Sequence, residues 1–172
     1  LNAGIYGMGE ALLVNPFPFP GVDRLVAIGE KRPENSFGNL TENSSPANFL
    51  DWREAAVGTG PFDRMVAYEY WNANLTGGDQ PERVQAYRVS PGFFALMGVP
   101  ITDGREFAEG EDIPGRDHLA VLGRNLWERR FGADPAVIGQ TVMIEGNAHT
   151  VIGIAPADFL FPVTWILPTI FW

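Results

Sequence analysis

A chain of 172 residues, 45% apolar and 12% aromatic, carries enough apolar side chain to bury a core and fits one domain or two small lobes. Its formal net charge of -9 and isoelectric point near 4.6 exclude a basic nucleic-acid binder, which needs clustered Lys and Arg to displace counterions from phosphates. Zero cysteines exclude disulfides and thiolate metal sites, and no stretch reaches the ~20 apolar residues that span a bilayer.

The opening run LNAGIYGMGEALLV is small and apolar, weakened by Glu10 and three glycines. It reads either as the trailing end of a membrane helix or as a short interfacial or core helix. Prolines 16, 18 and 20 in NPFPFP then stop any helix by removing backbone donors. In DRLVAIGE, Leu25, Val26 and Ile28 form an apolar run of strand length, and KRPENSFGNLTENSSP follows as a polar surface loop. The glycosylation sequons at Asn39, Asn43 and Asn74 read as plain polar loops.

Ser45 is placed to cap a helix whose first residue is Pro46, and Phe49, Trp52 and their neighbours in NFLDWREAA recur at helical spacing, with Phe49 and Trp52 expected to pack onto a sheet. Gly58 to Pro61 ends it. Met65, Val66 and Ala67 begin a strand-like run that reaches a Gly-Gly turn at 77 and 78, and PERVQAYRVS alternates as a half-buried strand, with Val84 and Ala86 inward. Apolar residues surround most of PGFFALMG, which predicts a short buried helix ending at Gly98. Asp103-Gly104 gives a turn, Phe107 an anchor, and AEGEDIPGRD an acidic surface loop. A strand from His118 to Leu122, a helix from Asn125 to Arg130 with Leu126, Trp127 and Phe131 inward, and a hairpin of Gln140 to Ile144 with His149 to Ile154 complete the pattern.

Little in this chain converges on catalysis. His118 and His149 each sit at the edge of a predicted strand, outside any HExxH-type pair, and read as surface or partly buried structural histidines. Glu109, Glu111 and Asp112 lack the spacing of a calcium loop and read as solvated. Asp51 and Glu54 can share a helix face, but a carboxylate pair also needs a partly buried cleft. There is no GxSxG elbow, and Gly4, Gly7 and Gly9 match neither the phosphate loop nor the dinucleotide fingerprint. Arg129 and Arg130 either pair with the acidic loop or a partner, or complement a helix C-terminus. Of the five tryptophans, Trp71, Trp165 and Trp172 are placed for exposure, and Trp52 and Trp127 read as core. The expectation is no catalytic residue, no cofactor and no metal.

The segment VSPGFFALMGVPITDGREF resembles the V-S-x-x-[YF]-F-x-x-[LM]-G-V-x-x-x-x-GR-x-F signature of the MacB-like periplasmic core domain of ABC-transporter permeases. VLGRNLWERRFGADPAVIGQTVMIEGNAHTVIGIAPADFLFP is similar to its continuation in the large-permease branch common in acidobacteria, and NPFPFPGVDRLVAI resembles the family's exit from its first membrane helix. The resemblance implies an α+β fold in two lobes. Residues 1–22 would be the end of the first transmembrane helix and its Pro-rich exit, 23–100 an incomplete porter-like α/β lobe, and 101–172 an inserted, mostly β lobe truncated at its C-terminus.

It further implies a segment facing the periplasm from the bacterial inner membrane, acting in efflux by mechanical transmission. Its partners would be a cytoplasmic ATPase reached through the membrane helices, a permease dimer mate or pseudo-dimer half, and a periplasmic accessory protein, with no nucleic acid. Relatives continue where this chain reaches VTWILPTIFW, so apolar surface is expected around Ile166 to Trp172. The alternative from a different class is a periplasmic module that captures a peptide or lipid in a pocket lined by Trp71, Phe93 or Trp127.

Overall fold

The computed structural model describes residues 20, 24–26, 28, 44–77, 80–157, 159 and 169–171. Among the described residues three α-helices, α1 (Pro46–Ala56), α2 (Phe93–Leu96) and α3 (Arg124–Phe131), and a 3-10 turn at Pro135–Val137 accompany seven strands. The strands are β1 (Tyr68–Thr76), β2 (Glu82–Val89), β3 (Asp103–Gly104), β4 (Leu119–Leu122), β5 (Thr141–Ile144), β6 (Asn147–Ile154) and β7 (Thr169–Phe171). The α+β class is the one the sequence implies.

All seven strands join one sheet in the order β3-β6-β4-β7-β2-β1-β5, and β5 also pairs with β6. Six strands therefore close into a ring, with β3 added to the end of β6. Two of the ladders, β2 with β7 and β4 with β6, are parallel, and the others are antiparallel. Closure removes the long edges that would otherwise invite pairing with other chains. Strands on both sides of the boundary expected at residues 100/101 share this sheet, since β1 pairs with β5.

The β5–β6 hairpin turns on two residues, Glu145 and Gly146, with φ of 50° and 78°. Positive φ at both central positions is the turn whose twist matches the flanking strands, and it sets Ile144 opposite Asn147. Alternation along the strands then sends side chains to two faces. One face holds Ala73, Leu75, Val84, Ala86, Ala120, Leu122, Val142, Ile144, Val151 and Ile154, covered by Leu126 of α3 and by Val137. The other holds Tyr87, Val121 and Ile152, covered by Phe93, Phe94, Val99 and Phe107. Each fully buried Leu, Ile, Val or Phe contributes about 1.5–3 kcal/mol relative to exposure.

Local signals placed most helix ends. Asn48 N–H donates to Ser45 Oγ at 3.1 Å, so Ser45 caps α1 with Pro46 in the first turn. Gly98 (φ +68) follows α2 and Gly132 (φ +63) caps α3.

Several expectations are corrected. Helix α1 buries none of its residues, and Phe49 and Trp52 are only half-buried, with the Arg53 guanidinium 5.4 Å above the Phe49 ring. The described residues among 23–30 join no strand, and Val26 and Ile28 are exposed. Strand β1 begins at Tyr68, one residue after the run Met65 to Ala67, although Ala67 and Ser90 still exchange two hydrogen bonds beyond its end. Asp103-Gly104 is a strand rather than a turn: it pairs with Ile154 and Gly153, and the backbones approach so closely that a Cβ on Gly104 would meet the Ile152 carbonyl and Gly153, and one on Gly153 would meet Arg105 and Ile101. Asn74 lies in β1 rather than in a polar loop. The expectation of apolar surface around residues 166–172 is not among these corrections: residues 169–171 pair through their backbone between β2 and β4. The rest of that stretch, the N-terminal apolar run and the polar loop at 31–43 lie outside the described residues. No helix among the described residues is long and apolar enough to cross a membrane.

Candidate binding cleft

A concave region of about 440 Å³ lies between the end of β2, the loop before β4 and the β5–β6 turn. Strand β2 contributes Arg88 and Val89, with Pro91 and Phe107 beside them. The loop contributes Glu111, Asp112, Asp117 and His118, and the hairpin contributes Ile144, Glu145, Asn147 and His149. Four carboxylates against one arginine make the rim acidic, over an apolar floor of Val89, Phe107, Leu119 and Ile144.

The polar groups are held by identifiable contacts. Arg105 grips Glu111 with both terminal nitrogens at 2.8 Å, and Ala108 N–H donates to the same carboxylate. That hydrogen bond from Arg105 holds the Glu111 carboxyl below the usual carboxylate range. Glu145 clasps β1: its Oε1 accepts from Asn74 N–H at 2.6 Å and its own N–H donates to the Asn74 carbonyl. Arg88 lies 4.7 Å above the Trp71 ring and 3.5 Å from Glu69.

The two histidines, far apart in sequence, meet here. Their ring centroids are 5.1 Å apart, with His149 buried and His118 exposed. Burial is the main cause that lowers His149 below its ordinary value of 6.5. The Asn147 carbonyl, 3.0 Å from Nδ1, acts in the opposite direction.

The structure places the remaining candidates elsewhere. Glu109 is exposed and does not line the cleft, and Asp51 and Glu54 are exposed on α1. Arg129 and Arg130 pair with Glu82 at the start of β2, not with the acidic loop. Their position in the last turn of α3 also suits the helix dipole. Trp71, Phe93 and Trp127 do not form a pocket together: Trp71 is at the surface, Phe93 is in the aromatic core, and Trp127 packs on the aliphatic core with its Nε1–H donating to the Asp134 carbonyl at 2.9 Å. Among the described residues no group of three or more His, Asp or Glu side chains is arranged to hold a metal ion.

Sequence reasoning missed Arg88, Asp117, Glu145 and Asn147. One signal was available for Arg88. It falls in phase with the buried Val84 and Ala86, so the alternation carries a charge to the same face of β2 at the strand's exposed end.

The comparisons with known proteins follow this geometry. The profile of the MacB-like periplasmic core domain matches residues 1–168. No curated protein sequence matches the chain. Among solved structures, the extracellular domain of the noncanonic ABC-type transporter YknZ from Gram-positive bacteria is similar with a TM-score of 0.50 at 17% identity, covering 62% of this chain and 51% of that one. The periplasmic region of MacB from Actinobacillus actinomycetemcomitans gives a TM-score of 0.48 at 18% identity, covering 62% and 45%. The chain thus spans about half the length of these structures. With nearly all of its residues matched, the chain belongs to the family of MacB-like periplasmic core domains, the periplasm-facing domains of ABC-type transporter permeases.

Proposed function

We propose that this domain is a non-catalytic transmission element of an export permease in the bacterial inner membrane. ATP hydrolysis by a cytoplasmic ATPase partner would be relayed through the membrane helices, and this segment would carry the movement to the periplasmic side. A second permease half and a periplasmic accessory protein would be its contacts there. The observation that carries the reading is the family match over residues 1–168. A sheet closed into a ring and packed on both faces also suits a body that moves as one piece, because close-packed interiors transmit displacement rather than absorb it. Replacing this segment by a short linker in the full permease is expected to abolish export while ATP binding by the partner persists. Unimpaired export would overturn the reading.

The cleft favours a second reading, capture of a peptide or lipid, because its volume of about 440 Å³ is that of a small-ligand site and a charged rim surrounds its apolar residues. A ligand present at one hundred times its Kd would stabilise the domain by about 2.7 kcal/mol. A melting temperature that peptides and lipid micelles leave unchanged would remove this reading.

A further inference from the structure

Two imidazoles meet where the parallel pairing of β4 with β6 begins. Thr150 N–H donates to the His118 carbonyl at 3.0 Å, and the first rung then sets Leu119 opposite Thr150. The rings above this rung are 5.1 Å apart and inclined by 42°. His149 is 5% exposed, so a charge on it is poorly hydrated, while His118 stands on the cleft rim.

Charged and polar groups approach the pair from every surrounding element. Arg88 comes from β2, and Glu111, Asp112 and Asp117 from the loop before β4. Glu145 and the Asn147 carbonyl come from the β5–β6 turn. His118 and Arg88 both disfavour a charge on His149, and Asp117 favours it. Burial, His118 and Arg88 outweigh Asp117 and the Asn147 carbonyl, so the folded protein takes up this proton less readily than the unfolded chain. The sign follows from linkage. The contribution of neutral His149 is complete above its ordinary value of 6.5 and is lost as the pH falls through 6.5 toward the lower value of the folded state.

We propose that His118 and His149 form a proton-operated latch on the cleft: the packed rings hold the start of β4 on β6, and proton uptake at the buried His149 parts them and opens that rung. The opening is local because His118 precedes the first rung of β4, whereas the rest of β4 is buried between the two cores. The latch requires only these side chains and operates whether or not the domain serves in export.

Amide hydrogen exchange on the 172-residue chain tests the proposal, with protection factors corrected for the intrinsic pH dependence of exchange. Between about pH 7.5 and about pH 5.5, protection at Thr150 is expected to fall about tenfold while protection at Ala86 in β2 holds. His149→Gln and His118→Gln should each reduce the change at Thr150 to about twofold or less. The His118 substitution is at an exposed position, so it decides the matter even where the buried substitution fails to fold. An unchanged Thr150 between the two pH values overturns the latch. So does a parallel fall at Ala86, which would mean global acid unfolding, or a full pH response retained in His118→Gln.

Discussion

The buried side chains on the face of the sheet beneath α3 are all aliphatic and nearly all supplied by strands, whereas the face beneath α2 mixes aliphatic side chains with rings, of which only Tyr87 belongs to a strand. On the aliphatic side, packing follows from alternation, and small or branched side chains adapt to one another. On the aromatic side, Phe93, Phe94, Phe107 and Phe159 come from a short helix and from connecting segments. Those rings meet in definite orientations. Phe94 is edge-on to Phe93 at 5.4 Å and to Phe159 at 5.5 Å, and stacks on Phe107 at 6.3 Å. The aromatic core therefore depends on how glycine turns aim the backbone, and the aliphatic core depends on strand register.

The largest effect should come from emptying each core in turn. Phe94→Ala removes a ring with three aromatic partners and is expected to cost about 4 kcal/mol, against about 3 kcal/mol for Leu126→Ala beneath the other face. Urea titrations of both variants measure the difference, and a greater loss at Leu126 would reverse the ranking of the two faces.

Next in size is the glycine dependence of the aromatic side. Gly104 has φ +88, and an added Cβ would lie 2.7 Å from Gly153 Cα and closer still to the Ile152 carbonyl. Gly104→Ala is expected to cost about 2–3 kcal/mol and to expose Phe107, whereas Gly92→Ala, with a φ of +83 in open space, should cost about 1 kcal/mol. Equal melting temperatures for the two variants would show that backbone contact at β3 does not matter.

The smallest effect belongs to the clip that fastens α3 over the aliphatic face. Glu82 receives hydrogen bonds from Arg129 and Arg130, and Glu82→Gln should cost about 0.5 kcal/mol and less in high salt. The hydrogen bond from Arg129 is the main cause that lowers the Glu82 carboxyl below its ordinary 4.5. Its contribution is therefore present above 4.5 and lost as the pH falls through the lowered value, so parent and variant should converge in acid. A difference that persists in acid would assign the effect to packing instead.

Much of the fold was legible because its signals are local. Ser45 with Pro46, the apolar wrap of PGFFALMG, the Phe107 anchor, the inward Val84 and Ala86 and the hairpin around Gly146 all act within a few residues of themselves. The cleft was not legible in the same way. His118 and His149 meet through a parallel pairing whose intervening connection carries α3 and β5, and nothing near either residue encodes that crossing. Helix α1 shows the reverse failure: its spacing is helical, but the spacing does not say what its apolar side chains touch.

The sequence by itself determined the three helices, the strands β1, β2, β4, β5 and β6, the acidic surface, the absence of any thiol chemistry and, through its motifs, the family to which the domain belongs. The tertiary structure alone decided that strands on both sides of residue 100 close one ring, that Arg129 and Arg130 hold Glu82, and that two distant imidazoles share a cleft rim. The physical reason is range. Caps, turns and alternation are set by backbone geometry over a few residues, whereas ring closure and the histidine pair are set by which distant apolar faces bury each other most completely.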